Sequence, residues 1–184
     1  EIQLTVAGRT DTGVHALGQV ASFATEAMLP PDLARNLNGV TPPDVAVRRA
    51  AVVADGFDAR RGARSRSYLY RVETRQAASP FEQGRALWWP HRVDRTALDA
   101  CAAALVGTHD FTAFTPTQTD HVRFERDVLA ASWGEEPCLR GEPGAILAFR
   151  ITADAFMRNM VRALVGTMLQ VGSKSRTVEN FSTL

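Results

Sequence analysis

Ser67-Tyr-Leu-Tyr-Arg-Val72 alternates with period two, so Tyr68 and Tyr70 share one face of a strand while Leu69 and Arg71 take the other. Downstream, Asp94 to Val106 reads as a helix, opened by an Asp cap, filled with alanine and ended by Gly107. Strands follow near Val128 to Trp133 and from Ile146 to Thr152, and Pro137, Gly141, Pro143 and Gly144 mark a turn between them. Ala155 to Val171 is apolar almost all round, the pattern of a buried helix, and Val178 to Leu184 begins an amphipathic one. Upstream, a strand from Ile2 to Val6 leads through a polar loop, Gly8 to Gly13, into a second strand from Gln19 to Phe23. Pro30-Pro31-Asp32 then starts a short helix through Leu37, and a strand runs from Val45 to Val53. The elements follow no regular βαβ rhythm and several strands are joined by short turns, which predicts an α+β fold with a largely antiparallel sheet.

Asp55 to Arg66 is short of apolar residues and reads as the hinge between an amino-terminal α+β domain, 1–61, and a carboxy-terminal one, 62–184. With 184 residues, 45% hydrophobic and 22% charged, the chain falls outside the disordered and fibrous classes. No apolar run approaches the roughly 20 residues of a membrane span, and the amino end has no signal pattern, so the expected setting is the cytoplasm without membrane contact. Cys101 and Cys138 are far apart and form no CxxC pair, which fits buried small hydrophobes in a reducing compartment. The chain starts at Glu1 with Ile2, Leu4 and Val6 alternating at once, and it ends partway through a helix pattern, so it reads as a fragment.

Charge is concentrated. Between Arg48 and Arg75 eight arginines stand against Asp55, Asp58 and Glu73, on a chain whose net charge is +1. Arg60, Arg61, Arg64, Arg66 and Arg71, interleaved with Tyr68 and Tyr70, suit a surface that grips phosphates and stacks an unpaired base, although a solvated arginine edge beside core tyrosines has the same composition. As a cluster they favour nucleic acid. The loop Gly8-Arg-Thr-Asp-Thr-Gly-Val-His15 is open to two readings: a turn in which Asp11 makes an Asx-turn and Gly13 supplies positive φ, or a chemical site, since a simple turn needs neither Arg9 nor His15. Its Asp-Thr-Gly also matches the aspartic-protease triplet, but that chemistry needs a second such carboxylate or a symmetric partner, only one Asp-Thr-Gly occurs, and Arg9 and Thr10 are polar where a protease would bring the Asp up on an apolar strand. His15, His91, His109 and His121 lie on separate segments with no HExxH, and no nucleotide-cradling glycine loop occurs, so neither metal nor cofactor is expected. Arg158 and Arg162, four apart on the last long helix, either face solvent or send one guanidinium to a buried carboxylate, with Asp11 a candidate partner.

Taken together, these segments resemble the tRNA pseudouridine synthase I (TruA) family. Gly8 to Ala16 is similar to its GRTDxGVHA signature and continues into Gly18-Gln-Val20; Phe57-Asp-Ala-Arg60 and Ala63 to Tyr70 resemble its FHAR and RxYxY segments. Gly107-Thr-His-Asp-Phe111 with Phe114 resembles GxHDFxxF, and Phe156 to Gly166 resembles FxxxMVRxxVG. The resemblance implies a pseudouridine synthase fold of two α+β domains with a basic cleft between them, and a homodimer. It implies isomerisation of uridine to pseudouridine in the anticodon stem-loop of tRNA, at or near tRNA positions 38 to 40, without cofactor or metal. By motif position Asp11 would be the catalytic nucleophile, Tyr68 the residue stacked on the target base, Arg162 the partner of Asp11, and Arg9 a residue that places the RNA. Arg60, Arg66 and Arg158 would touch the RNA backbone. Asp58 stands where the family often has His, and Arg61-Gly62 replaces a commoner Phe-Ser. A YDG-type segment would precede Glu1, so this chain alone is expected to be poorly stable and weakly active.

Overall fold

The computed structural model of the chain describes residues 2–118, 122–137 and 146–184, and the chain divides after Ala63 into two units, Glu1–Ala63 and Arg64–Leu184. His121, Cys138, Gly141, Pro143 and Gly144 lie outside the described residues.

The second unit is built on β3 (Arg66–Glu73), β4 (Leu87–Trp88), β5 (Gly107–Asp110), β6 (Glu125–Glu136) and β7 (Ile146–Ala153), numbered after the two strands of the first unit. Its sheet runs β4-β3-β7-β6-β5, antiparallel except for the parallel pair of β3 and β4, so the fold is α+β with a mixed sheet. Every residue of β3 has a partner on β7, from Arg66 opposite Ala153 to Glu73 opposite Ile146. This register sends Tyr68, Tyr70 and Val72 to the same face as Ile151, Phe149 and Leu147. On that face lie α2 (Arg95–Ala104), α3 (Met160–Gly172) and α4 (Val178–Ser182). Phe149, Ile151, Leu98, Met160, Leu164 and Met168 are fully buried there, each contributing roughly 1.5–3 kcal/mol by leaving water. Trp133 and Phe149 stack at 5.1 Å from adjacent strands. β6 is twice as long as the apolar run Val128 to Trp133 suggests, with an irregularity between Val128 and Ala130 that turns Leu129 outward.

The helices start and stop for local reasons. Asp94 caps α2 by accepting from the Ala97 N–H at 3.2 Å, and its own N–H donates to the Gly172 carbonyl at 2.9 Å, fastening the start of α2 to the end of α3. Gly172 is required by that approach, since a Cβ there would stand 2.6 Å from Val93 Cγ1. Two features of the expected last helix change. α3 begins at Met160, not Ala155, because Asn159 adopts the left-handed conformation (φ 60°) and breaks the run. Nor is it apolar all round: Arg162, Gly166 and Gln170 form an exposed stripe at helical spacing. Arg158 therefore precedes the helix, and it does not form a one-face helical pair with Arg162.

The first unit is stitched by polar contacts. β1 (Thr5–Val6) and β2 (Ala21–Ser22) form an antiparallel pair, shorter than the strands read from Ile2 to Val6 and Gln19 to Phe23. α1 (Leu33–Asn38) follows Asp32, whose side chain makes no cap bond. The expected strand from Val45 to Val53 is absent. That run has no neighbouring strand to complete a ladder, and it is tied instead by the Asn38 side chain, which donates to the Val47 carbonyl (2.9 Å) and accepts from its N–H (2.7 Å). Among the described residues of this unit only Ala59 is buried, its N–H held by Ser22 Oγ at 3.0 Å.

Two glycines of α3 are expected to respond in opposite directions in urea melts. Gly172→Ala should lose about 1–3 kcal/mol by overpacking. Gly166→Ala, exposed with open space where a Cβ would stand, should gain up to about 1 kcal/mol. Burial pushes the Cys101 thiol up to about 11. The native state therefore holds its proton more tightly than the unfolded chain, and this contribution is intact below about pH 8.5 and lost as pH rises towards the native value. In a Cys138→Ser background, thiol reagents at pH 8 should label Cys101 only after unfolding.

Candidate active site

The polar loop of the first unit is clamped at its base by one side chain. Gln19 Oε1 accepts from the Gly8 N–H at 3.4 Å and its Nε2 donates to the Gly8 carbonyl, so both ends of the loop are held beside the short β1–β2 pair. Within the loop the Val14 N–H donates to the Asp11 carbonyl at 3.0 Å, closing a turn whose third residue, Gly13, has φ +81°. A positive φ at that position is what a type II turn requires, and glycine meets it without steric cost. The turn is thus closed by the Asp11 main chain, not by its carboxylate as an Asx-turn would have it. Within its unit the exposed Asp11 carboxylate makes no hydrogen bond and no ion pair among the described residues, and Arg9 beside it is exposed as well. Farther along, Asp58 Oδ1 accepts from the N–H groups of Arg60 and Arg61, both at 2.8 Å, so this carboxylate is occupied in shaping its own turn. Gly62 belongs to the same turn, donating to the Asp58 carbonyl at 2.8 Å.

In the second unit Tyr68 stands opposite Ile151, half-buried, with its ring edge-to-face against Phe156 at 4.8 Å and 79°. Arg66, two residues earlier on the same strand, donates from NH1 to the Asp154 carbonyl at 2.9 Å. Arg162 projects from the exposed stripe of α3, and Arg158 is exposed just ahead of that helix. Arg71 leaves the expected basic cluster. It points to the opposite face of the sheet, where Glu82 takes its guanidinium, Glu136 meets Nε at 3.0 Å, and Arg150 reaches Glu136 at 2.7 Å. Its pKa is raised, chiefly by the hydrogen bond to Glu82, which is itself buried. His109 and Asp110 also make local contacts, His109 through Nε2 to the Val106 carbonyl at 3.2 Å. The Asp110 carboxylate accepts from the Thr112 N–H and hydroxyl, which lowers its pKa and sets the single 3-10 turn Thr112–Phe114 that drops Phe111 and Phe114 into the core.

Asp11, Arg9 and Arg60 thus belong to the first unit, and Arg66, Tyr68, Arg158 and Arg162 to the second. Gln19 and Phe156 fall inside motifs legible in the sequence, yet their roles rest on contacts that no spacing reveals. Among the described residues, no group of three or more His, Cys, Asp or Glu side chains is gathered as a metal site, and no helix is long and apolar enough to cross a membrane.

A family model described as tRNA pseudouridine synthase matches residues 101–184. "tRNA pseudouridine synthase A" of Lacticaseibacillus casei is 35% identical over 178 residues, covering 96% of this chain and 70% of that protein. The chain belongs to the tRNA pseudouridine synthase family. Relatives of the same name in Myxococcus xanthus (38% identical over 178 residues) and Frankia casuarinae (43% over 173) align with 95% and 93% of the chain. The chain spans 64% of the length of the first and 61% of the second. Within the chain the family-model match takes in Phe156, Arg158 and Arg162, while Asp11 and Tyr68 lie ahead of it.

Because Arg71 answers a buried carboxylate, Arg71→Ala is expected to cost about 3 kcal/mol of stability by leaving Glu82 unpaired. Arg158→Ala, at an exposed position, should stay within about 0.5 kcal/mol of wild type in the same urea titration.

Proposed function

We propose that this protein isomerises uridine to pseudouridine in the anticodon stem-loop of tRNA, with Asp11 as the nucleophile. The observation that carries the reading is the turn at Asp11 to Val14, which is closed through the main chain and leaves the Asp11 carboxylate uncommitted. Membership of the tRNA pseudouridine synthase family supports tRNA as the substrate class.

The residue types suit the chemistry. Breaking a carbon–nitrogen glycosidic bond and rejoining the same uracil through carbon calls for an ionised oxygen nucleophile, and a carboxylate is one at neutral pH. Attack on the uracil ring and attack on the ribose carbon both begin from that oxygen. The reaction is an isomerisation, so no atom or electron is left over and neither cofactor nor metal enters the proposal. Arg162 is assigned as the partner of Asp11, since a guanidinium within contact distance lowers an aspartate pKa by roughly 1 to 3 units and keeps the nucleophile charged as water leaves. The target base must leave its stack at a cost of a few kcal/mol. Stacking on the Tyr68 ring returns about 1–3 kcal/mol of it. Arg9, and more weakly Arg60, Arg66 and Arg158, are assigned to the RNA, giving affinity that falls with salt. Action as a homodimer in the cytoplasm, where tRNA is processed, belongs to the same proposal.

The test is to incubate the full-length protein with unmodified tRNA and map pseudouridine by chemical labelling, beside Asp11→Ala. Wild type should modify the anticodon arm, and Asp11→Ala should lose at least about 10³-fold in rate. Its tRNA Kd should stay within about threefold, because phosphate contacts dominate affinity. Pseudouridine still formed by Asp11→Ala would remove Asp11 as nucleophile. Tight tRNA binding by both proteins with product from neither would make the chain a binding module.

A further inference from the structure

The segment 154–159 joins β7 to α3, and one aspartate in it is hydrogen-bonded through its main-chain N–H, its carbonyl and one carboxylate oxygen. Asp154 Oδ1 accepts from the N–H of Asp127 (3.0 Å) and of Ala155 (2.7 Å), and its second carboxylate oxygen lies 3.9 Å from Arg123 NH1. Its main-chain N–H donates to the Asp127 carbonyl at 3.0 Å, and its carbonyl accepts from Arg66 NH1 at 2.9 Å. Burial lowers the pKa of Arg126 on β6, and the Asp154 charge opposes that shift. One residue thus ties the end of β7 to the start of β6, to the first residue of β3 and to its own turn. Two positions later stands Phe156, whose ring meets Tyr68 at 4.8 Å, and three beyond that the left-handed Asn159 opens α3.

We infer that Asp154 is a positioning residue for Tyr68: by fixing the 154–159 turn it holds the Phe156 ring against the tyrosine and so sets the plane that Tyr68 offers to a base. Tyr68 is only half-buried, so its backbone register fixes where the ring starts and not which way it faces. Phe156 supplies the lateral wall; the segment that carries it lies outside helix and strand and is anchored on both sides of the ring, at its root by the Asp154 bonds and beyond it by the buried Met157, whose Sδ accepts from the Thr115 hydroxyl at 3.0 Å. The Asp154 carboxylate is suited to this because an ionised oxygen accepting main-chain N–H groups makes shorter and stronger bonds than a neutral one. The inference rests on the assignment of Tyr68 as the stacking residue, whereas the contact it explains exists apart from any activity.

The test uses Asp154→Ala and Asp154→Asn, the second of which keeps an oxygen able to accept from both N–H groups. The chain has two tyrosines, so ring-labelled Tyr in a Tyr70→Phe background reports Tyr68 alone. Asp154→Ala is expected to lose the Tyr68–Phe156 ring-to-ring Overhauser signal, and Asp154→Asn to keep it. In the full-length protein the Ala variant should lower kcat about 10- to 100-fold, as misplacement of a substrate-contacting group does, with the Asn variant near wild type. The KM for tRNA should move less than about threefold, because phosphate contacts carry most of the affinity. An Asp154→Ala protein that keeps the ring contact, or keeps kcat, overturns the inference. If that variant does not fold, Phe156→Leu removes the wall while leaving the Asp154 bonds intact; it should show the same kcat loss, and full activity from it overturns the inference equally. Should wild type form no pseudouridine, the functional reading fails and the ring signal alone decides the role of Asp154.

Discussion

One register governs the larger unit: β7 pairs on both sides, with β3 and with β6, so no side chain on the central strands is free to change face. Slipping β3 by one residue would drive Arg71 into the apolar layer under α3 and turn Tyr68 out of it. Val72, buried, and Tyr68 and Tyr70, half-buried against the core, oppose such a slip, because the three would leave the core together. From this constraint come two chemically different sheet faces. The inner face holds aromatic and aliphatic side chains against the helices, and the outer carries ion pairs, where Glu82 and Glu136 engage Arg71 and Glu136 also engages Arg150.

The same register decides what the arginine run near Tyr68 can do. Arg66 and Arg71 are five residues apart on one strand, so they lie on opposite faces of the sheet, and their partners differ accordingly. Arg66 reaches the carbonyl of Asp154 just past the end of β7, while Arg71 is held by the buried Glu82 and the half-buried Glu136. Charge counted along the sequence treats them alike. The sheet separates one that stands near a candidate binding surface from one that holds the fold. The exposed stripe Arg162, Gly166 and Gln170 on α3 is separated in the same way from its buried side, where Leu164, Val165 and Met168 meet the core.

The first unit follows another logic. It buries little, and its order comes from side chains bonded to nearby main chain: Gln19 across the loop from Gly8, Asn38 on Val47, Asp58 on Arg60 and Arg61. In such a framework a carboxylate is usually consumed by a turn, as Asp58 is. Asp11 is not, because the glycine at Gly13 lets the main chain close the turn unaided. The distinction between a structural aspartate and one available for chemistry is therefore made by a single backbone hydrogen bond.

Much of this was legible in the residues. Period-two alternation located β3 and the faces of Tyr68 and Arg71, the strand run from Ile146 located β7, the Asp94 cap placed the start of α2, and the motif around Asp11 pointed to the loop where chemistry is proposed; the helix pattern overruns the end of α2, since the helix stops at Ala104 and Gly107 already opens β5. These features are local: alternation, capping and turn glycine depend on neighbours within a few residues. What the sequence could not supply depended on partners distant in the chain. The run from Val45 to Val53 has strand composition but, among the described residues, no adjacent strand, and it forms no ladder. The apolar pattern from Ala155 promised a longer helix, yet the bonds that hold Asp154 and the left-handed Asn159 delay it to Met160. The extent of β6, the ion pairs of Arg71 and the seat of Phe156 on Tyr68 were likewise settled only when strands far apart in sequence came into register. By itself the sequence determined which residue types stand where and their local conformational preferences; the tertiary structure decided which of them meet, because burial and hydrogen-bond satisfaction are properties of the assembled neighbours.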